Sequence, residues 1–236
     1  MPTTPATPAQ RPDRKAAILQ AAQRLFAQHG YRAVTIRQIA DAAAVPLALV
    51  GYHHGSKQAL FQSVFAHWEH TLDERLARLR AVRIDPSDAR TLPRIIEAFT
   101  APLLALRADP DGAHYTRLVA HELHNAGEAS ERVLREQFDP LAQAYIDALH
   151  QAMPHATRGA VAWGYQFALG ALLHHLSDTR VERLSRGDNR PGDPAATPQL
   201  VQFIVGGLRA ALPRPRPATD TAPTTAARQR ASHRTP

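Results

Sequence analysis

The side chains able to do chemistry in this sequence are concentrated in one short stretch, Thr35 to Lys57, TIRQIADAAAVPLALVGYHHGSK. Lys57 opens a helix behind Ser56, where an ammonium and the free N–H groups of a helix start can together meet a phosphate. Thr35, a cap on the same side, can do the same, and Arg37 can reach a guanine edge or a phosphate. Leu47 and Ala48 are of a size to touch thymine methyl groups, with Tyr52 and His53 beside them. This is recognition of a double-stranded nucleic acid, with no bond made or broken. Covalent and metal chemistry find little support elsewhere. The chain has no cysteine, so disulfides, thiolate metal sites and thiol catalysis are excluded. Of the 13 histidines, His121 and His124 stand one turn apart and His174-His175 are adjacent. Adjacent rings diverge on a helix, however, and the HExxH spacing of a zinc hydrolase is absent. No Ser/His/Asp order, phosphate-cradling glycine loop or acid pair at helical spacing points to an enzyme. Neither a metal nor a cofactor is expected.

Two short helices and the start of a third must position these groups. Thr35 and Gln38 form a capping box, with Val34 and Ile39 at the staple positions, so a helix is expected from Ile36 to about Ala43. Ala44-Val45 makes a turn, and Pro46 is expected as the first residue of a helix reaching Tyr52. That helix is too short to stand alone. Ile39, Ala40, Val45 and Val50 give both helices an inward face, leaving Arg37, Leu47, Ala48, Tyr52 and His53 outward. The arrangement is that of a helix-turn-helix, whose second helix enters the major groove.

The rest of the chain reads as helical. Asp13 to His29 carries Ile18, Ala21, Ala22, Leu25 and Phe26 on one face and ends at Gly30. A helix capped by Ser56 is predicted to run unbroken to about Arg83 through Leu60, Val64, Trp68, Leu72, Leu76 and Leu79. Further helices follow from Thr91, kinked at Pro102, from Asp109-Pro110, near Ser130 to Phe138, and from Asp139-Pro140. Between His155 and Ser185, and again after Thr197-Pro198, apolar residues cover almost every face. A helix apolar all round must be buried on more than one side, so these two helices are expected to pair with their copies in a homodimer; the alternative is the central hairpin of a monomer. Interface candidates are Val161, Gly164, Ala168, Leu172, His175, Leu200, Phe203, Ile204 and Leu208.

The net charge of +7 is uneven. Residues 1–61 carry +5 and the tail from Pro213 carries +4, which leaves about −2 for the middle. A basic end on a slightly acidic body suits a DNA-facing domain on a ligand or dimer domain. No run approaches the roughly 20 apolar residues of a membrane span, and no signal peptide is visible, so no membrane partner and a cytoplasmic location are expected. The fold class is all-α. A disordered arm is expected at 1–11, a DNA-binding domain at 12–58, a ligand-binding and dimerisation domain of about nine to ten helices at 59–212, and a disordered basic tail at 213–236.

The segments QRLFAQHGYRAVTIRQIADAAAV and VGYHHGSKQALF resemble the N-terminal domain of the TetR/AcrR-type bacterial transcriptional regulators over roughly residues 14 to 65. RLVAHELHNAGEASERVLREQFDPL is similar to the subgroup with a Tyr-His-Phe-Gly-Ser-Lys motif. The resemblance implies a ligand-responsive homodimeric repressor of a near-palindromic operator, with Tyr52 and His53 at positions of backbone and base contact. It also implies a small-molecule effector among the body helices, near Trp68, Phe99, Leu103, Tyr115, Leu118, His121, Glu122, Tyr145 and Phe167. Glu122, a carboxylate on an apolar stripe, needs a partner; Arg117, an arginine of a neighbouring helix and a ligand amine are the candidates. Three positions depart from the family pattern: Ala44 where glycine is usual, Gly51 where asparagine or tyrosine is usual, and His54 in place of a core phenylalanine. A degenerate member that dimerises but binds DNA weakly is therefore the second reading, and an all-helical enzyme the third.

Overall fold

The computed structural model describes residues 13–107, 109–124 and 127–212; the arm and tail expected at the two ends lie outside them. The described residues form helices and no strand. α1 (Arg14–Ala33) is capped by the Asp13 carboxylate, which accepts from the Lys15 and Ala16 N–H groups at 3.0 and 3.3 Å. Gly30, at φ 76°, interrupts its regular winding. α2 (Ile36–Ala42) starts from the complete Thr35/Gln38 capping box. It ends in a Schellman motif: the Ala44 N–H bonds the Asp41 carbonyl at 3.1 Å, and the Val45 N–H bonds the Ala40 carbonyl at 3.0 Å. That motif places Ala44 at φ 53°, in the left-handed region that disfavours a Cβ. α3 (Leu47–His54) begins one residue later than expected, with Pro46 extended as its N-cap, and runs two residues beyond Tyr52.

The single long helix expected after Ser56 is two helices, α4 (Lys57–His67) and α5 (Glu69–Arg80). Trp68 breaks them at φ −100°, ψ 7°. Its carbonyl accepts from the Thr71 hydroxyl at 2.7 Å, a back-bond that bends helices. Its indole Nε1–H is drawn sideways to Gln23 Oε1 at 2.7 Å. Helical periodicity runs straight through the break and could not reveal it.

α6 (Thr91–Leu106) is assigned as one helix through Pro102. α7 (Pro110–His124) lies along α1. α8 (Glu128–Val133) runs into a π turn at Leu134–Phe138 and then α9 (Asp139–Ala152). α10 (Arg158–Ser177) ends well before Ser185, because Asp178 turns extended and holds Arg180 through its side chain. α11 (Val181–Leu184) and α12 (Ala196–Ala211) complete the chain.

Two apolar clusters hold these elements. One gathers Ile18, Phe26, Ile39, Val50, Leu60, Phe61 and Phe65 with Tyr115 and Leu118 of α7. The other gathers α5, α6, α9, α10 and α12 around Ile95, Phe99, Tyr145, Val161 and Leu172. α7 therefore contributes its apolar face to the same core as α1, α3 and α4. Among the described residues no helix is long and apolar enough to cross a membrane.

Candidate nucleic-acid interface and body cavities

Ile39, Ala40 and Val50 are buried and dock α2 and α3 on α1 and α4, so the opposite faces stand in solvent. Arg37, Leu47 and Ala48 are exposed, and Tyr52 is 82% exposed. The His53 ring packs edge-on to Tyr52 at 5.1 Å. The Thr35 hydroxyl is engaged in its capping box. The Lys57 ammonium lies 4.4 Å above the Tyr31 ring and donates to the Arg32 carbonyl at 3.4 Å. Arg37 of α2 and Leu47, Ala48 and Tyr52 of α3 are thus exposed, with His53 packed beside Tyr52 and Lys57 half-buried at the start of α4. His54 is buried and its Nε2 lies 3.4 Å from the Lys15 carbonyl. Burial pulls its pKa below the ordinary histidine value. A Cβ on Gly51 would meet open space.

The residues expected around an effector are dispersed. Leu103 and Tyr115 line a partly open cavity of about 170 Å³ between α5, α6, α7, α9 and α10. Trp68, Phe99, Leu118 and Tyr145 are core side chains outside its lining. His121 and Glu122 line a separate, wider and more polar cleft of about 710 Å³ where the end of α1 meets α7 and α8. Glu122 is satisfied there by the Ser130 hydroxyl and by His121 Nδ1 at 3.2 Å, not by Arg117. Phe167 lies in neither, being 64% exposed on the outside of α10.

Arg75, not among the residues expected around an effector, lines the 170 Å³ cavity. It is buried, and its Nε and Nη2 have no hydrogen-bond partner. The guanidinium sits 4.9 Å from the Phe99 ring centroid and 5.8 Å from that of Tyr145, whose hydroxyl donates to the Arg75 carbonyl at 3.0 Å. Burial lowers the Arg75 pKa and pushes the tyrosines up, Tyr145 to about 12, so both tyrosine hydroxyls keep their protons. The signal was present in the sequence: Arg75 stands at i+3 from Leu72, on the same stripe as Leu76 and Leu79.

The pairing candidates divide between buried and half-buried positions. Val161, Ala168, Leu172, Ile204 and Leu208 are buried within this one chain. Gly164 serves the same intramolecular packing, since a Cβ there would lie 2.6 Å from Leu208 Cδ2. His175 and Leu200 are half-buried. The outward face is instead Trp163, 66% exposed, with Phe167 stacked 5.9 Å from it, and Phe203, 71% exposed. α10 and α12 use one side to cover α6 and α9, so only their other side is free.

Comparison with known proteins agrees with this architecture. Residues 18–64 match the domain described as bacterial regulatory proteins, tetR family, and residues 97–207 match the tetracyclin repressor-like C-terminal domain. An HTH-type transcriptional repressor of Mycobacterium tuberculosis and an HTH-type transcriptional regulator of Mycobacterium bovis are each 43% identical over 84 residues, which cover 34% of this chain and 43% of each relative. The chain thus spans less than half the length of the curated relatives it matches. Among solved structures, a TetR-family transcriptional regulator from Bordetella parapertussis superposes with a TM-score of 0.59 at 20% identity, covering 82% of this chain and 95% of that one. The TetR family transcriptional regulator PfmR of Thermus thermophilus does so with a TM-score of 0.53 at 17% identity, covering 84% and 99%. With a tetR-type helix-turn-helix at one end and a repressor-like helical body behind it, this chain belongs to the TetR family of bacterial transcriptional regulators.

Proposed function

We propose that the protein is a homodimeric repressor that binds a near-palindromic operator through α2 and α3 and releases it when a small molecule enters the body. Residues 12–58 form the DNA-reading head and 59–212 the effector-binding and pairing body. The observation that carries this reading is the exposure of two surfaces at opposite duties: Tyr52, Leu47 and Arg37 on the head, and Trp163, Phe167 and Phe203 on α10 and α12. An apolar surface of three large side chains is expected to meet its own copy across a two-fold axis, because α10 and α12 would then complete a four-helix bundle. Two heads so joined read half-sites about one helical turn apart, or a multiple of it. Arg37 and Lys57 supply phosphate or guanine contacts, Leu47 and Ala48 methyl contacts, and Tyr52 and His53 the remainder.

The test combines light scattering of the purified full-length chain with a gel shift on the DNA upstream of its own gene. A dimer that shifts this DNA at nanomolar concentration, competed by the same duplex but not by a scrambled one, is the expected outcome. A dimer that ignores the duplex would favour the weak-binding reading, for which Ala44 at φ 53° and the exposed Gly51 are the structural grounds.

A further inference from the structure

The cavity between α5, α6, α7, α9 and α10 has on its wall a buried arginine whose guanidinium meets aromatic rings but no carboxylate. Its wall is mostly apolar, built by Leu72, Leu103, Val119, Leu141 and Leu169, and Arg75 is among the residues that line it. Nε and Nη2 are the donors of one edge of the guanidinium, and both are buried without a partner. A buried cation is normally matched by a carboxylate. Among the described residues no Asp or Glu forms an ion pair with Arg75. The one acid on the wall, Asp139, is exposed at the start of α9. The Tyr115 hydroxyl lines the same space beside the Thr71 hydroxyl, which donates to the Trp68 carbonyl and keeps its lone pairs as acceptors.

We propose that the effector of this protein is a compact apolar carboxylate, an aromatic acid of the benzoate class or a short branched acyl acid, whose carboxyl group is held by the Nε–Nη2 edge of Arg75. The inference rests on the reading of the body as an effector-binding domain. Two parallel N–H bonds from one guanidinium edge match the two oxygens of a carboxylate, a geometry no amide or alcohol satisfies. The Tyr115 hydroxyl, held protonated by its burial, gives a further donor to the same anion. The cavity sets the size. At about 170 Å³ it holds about six water volumes, the space of one ring or a short branched chain. Asp139 near the rim disfavours a second negative charge, so the ligand is a monoanion. The wider cleft differs, because its carboxylate, Glu122, is already met by Ser130 and His121.

The experiment is calorimetric titration and thermal melting of the full-length protein without DNA. Benzoate, phenylacetate and isovalerate serve as probes, each beside its neutral amide, on wild type, Arg75→Met and Arg75→Lys. At least one acid should bind saturably and raise the melting temperature while its amide does not. Arg75→Met should weaken that acid by about 10- to 100-fold, the loss of a charged hydrogen-bonded contact. Without ligand, Arg75→Met should melt no lower than wild type, because it removes an unmatched buried charge and keeps the side-chain volume. Should it fail to fold, Arg75→Lys, which keeps the charge but loses the planar edge, should still bind the acid more weakly than wild type. Absence of binding by all three acids, equal binding of acid and amide, or an unaltered affinity in the variants would overturn the proposal. So would a large loss of melting temperature in ligand-free Arg75→Met, which would make Arg75 a structural residue. A protein that shifts its operator yet ignores every acid loses only this inference. One that binds an acid through Arg75 yet ignores DNA loses the repressor reading and keeps this one.

Discussion

The indole of Trp68 stacks on the ring of Tyr115, centroids 5.1 Å apart and planes within 14° of parallel. Trp68 is the break between α4 and α5, and Tyr115 is part of the cavity wall. The same indole donates to Gln23 of α1. One side chain therefore touches the cavity wall, the head's first helix and the joint between head and body. A shift of Tyr115 would be passed to α1 and α4 through these packed rings.

Trp68→Phe should keep the stack and lose the hydrogen bond, leaving the buried Gln23 Oε1 unpaired. The expected cost is about 1–3 kcal/mol in chemical denaturation. Gln23→Leu placed on top of it should return part of that loss, as a double-mutant cycle would register.

Ala44→Gly should stabilise the head by about 0.5–1 kcal/mol. The left-handed conformation costs alanine about 1–2 kcal/mol, from which glycine's greater freedom in the unfolded chain subtracts roughly 0.5–1 kcal/mol. Gly51→Ala, a change into open space on α3, should add about 1 kcal/mol. Thermal melts of each single variant check both, and a fall in either melting temperature would contradict the local geometry described above.

His54 links stability to pH. Its folded pKa lies below the ordinary value of 6.5 because burial disfavours the charged ring. Between those two values the unfolded chain binds more protons than the folded one, so stability is full above 6.5 and declines as pH falls toward the folded pKa. His54→Phe should flatten this part of the stability–pH curve, measured by urea midpoints from pH 7.5 downward.

Phe203→Glu should separate the proposed dimer. A carboxylate buried at that contact without a counter-charge costs about 3–5 kcal/mol, equivalent to at least about 100-fold weaker pairing. Light scattering should report a monomer that keeps its helical circular dichroism, because Phe203 makes no part of the chain's own core.

Lys57→Ala should lower the slope of log affinity against log salt by about one. The ammonium rests on Tyr31 in the free protein, a contact weak enough at a half-exposed site to be exchanged for a phosphate. Fluorescence anisotropy across a salt series decides it; an unchanged slope would remove Lys57 from the phosphate contacts.

The sequence by itself determined the helices and the helix-turn-helix, because these rest on local rules: the Thr35/Gln38 box, Ser56 as a cap, Gly30 as an interruption, and apolar residues at helical spacing. The inward set Ile39, Ala40 and Val50 followed from the same periodicity. Only the tertiary structure decided what lies across from each face. Periodicity says that a side of α10 is apolar, but not whether Val161 and Leu172 meet the chain's own α6 and α9 or a second copy. They are buried in the chain's own core, and Trp163 stands exposed. Nor could spacing expose the break at Trp68, which is held by Gln23 from far along the chain. The cavity was hidden for the same reason. Arg75 looks like one arginine among many until four helices close over it and supply no carboxylate, since a charge is unmatched only with respect to neighbours that folding brings together.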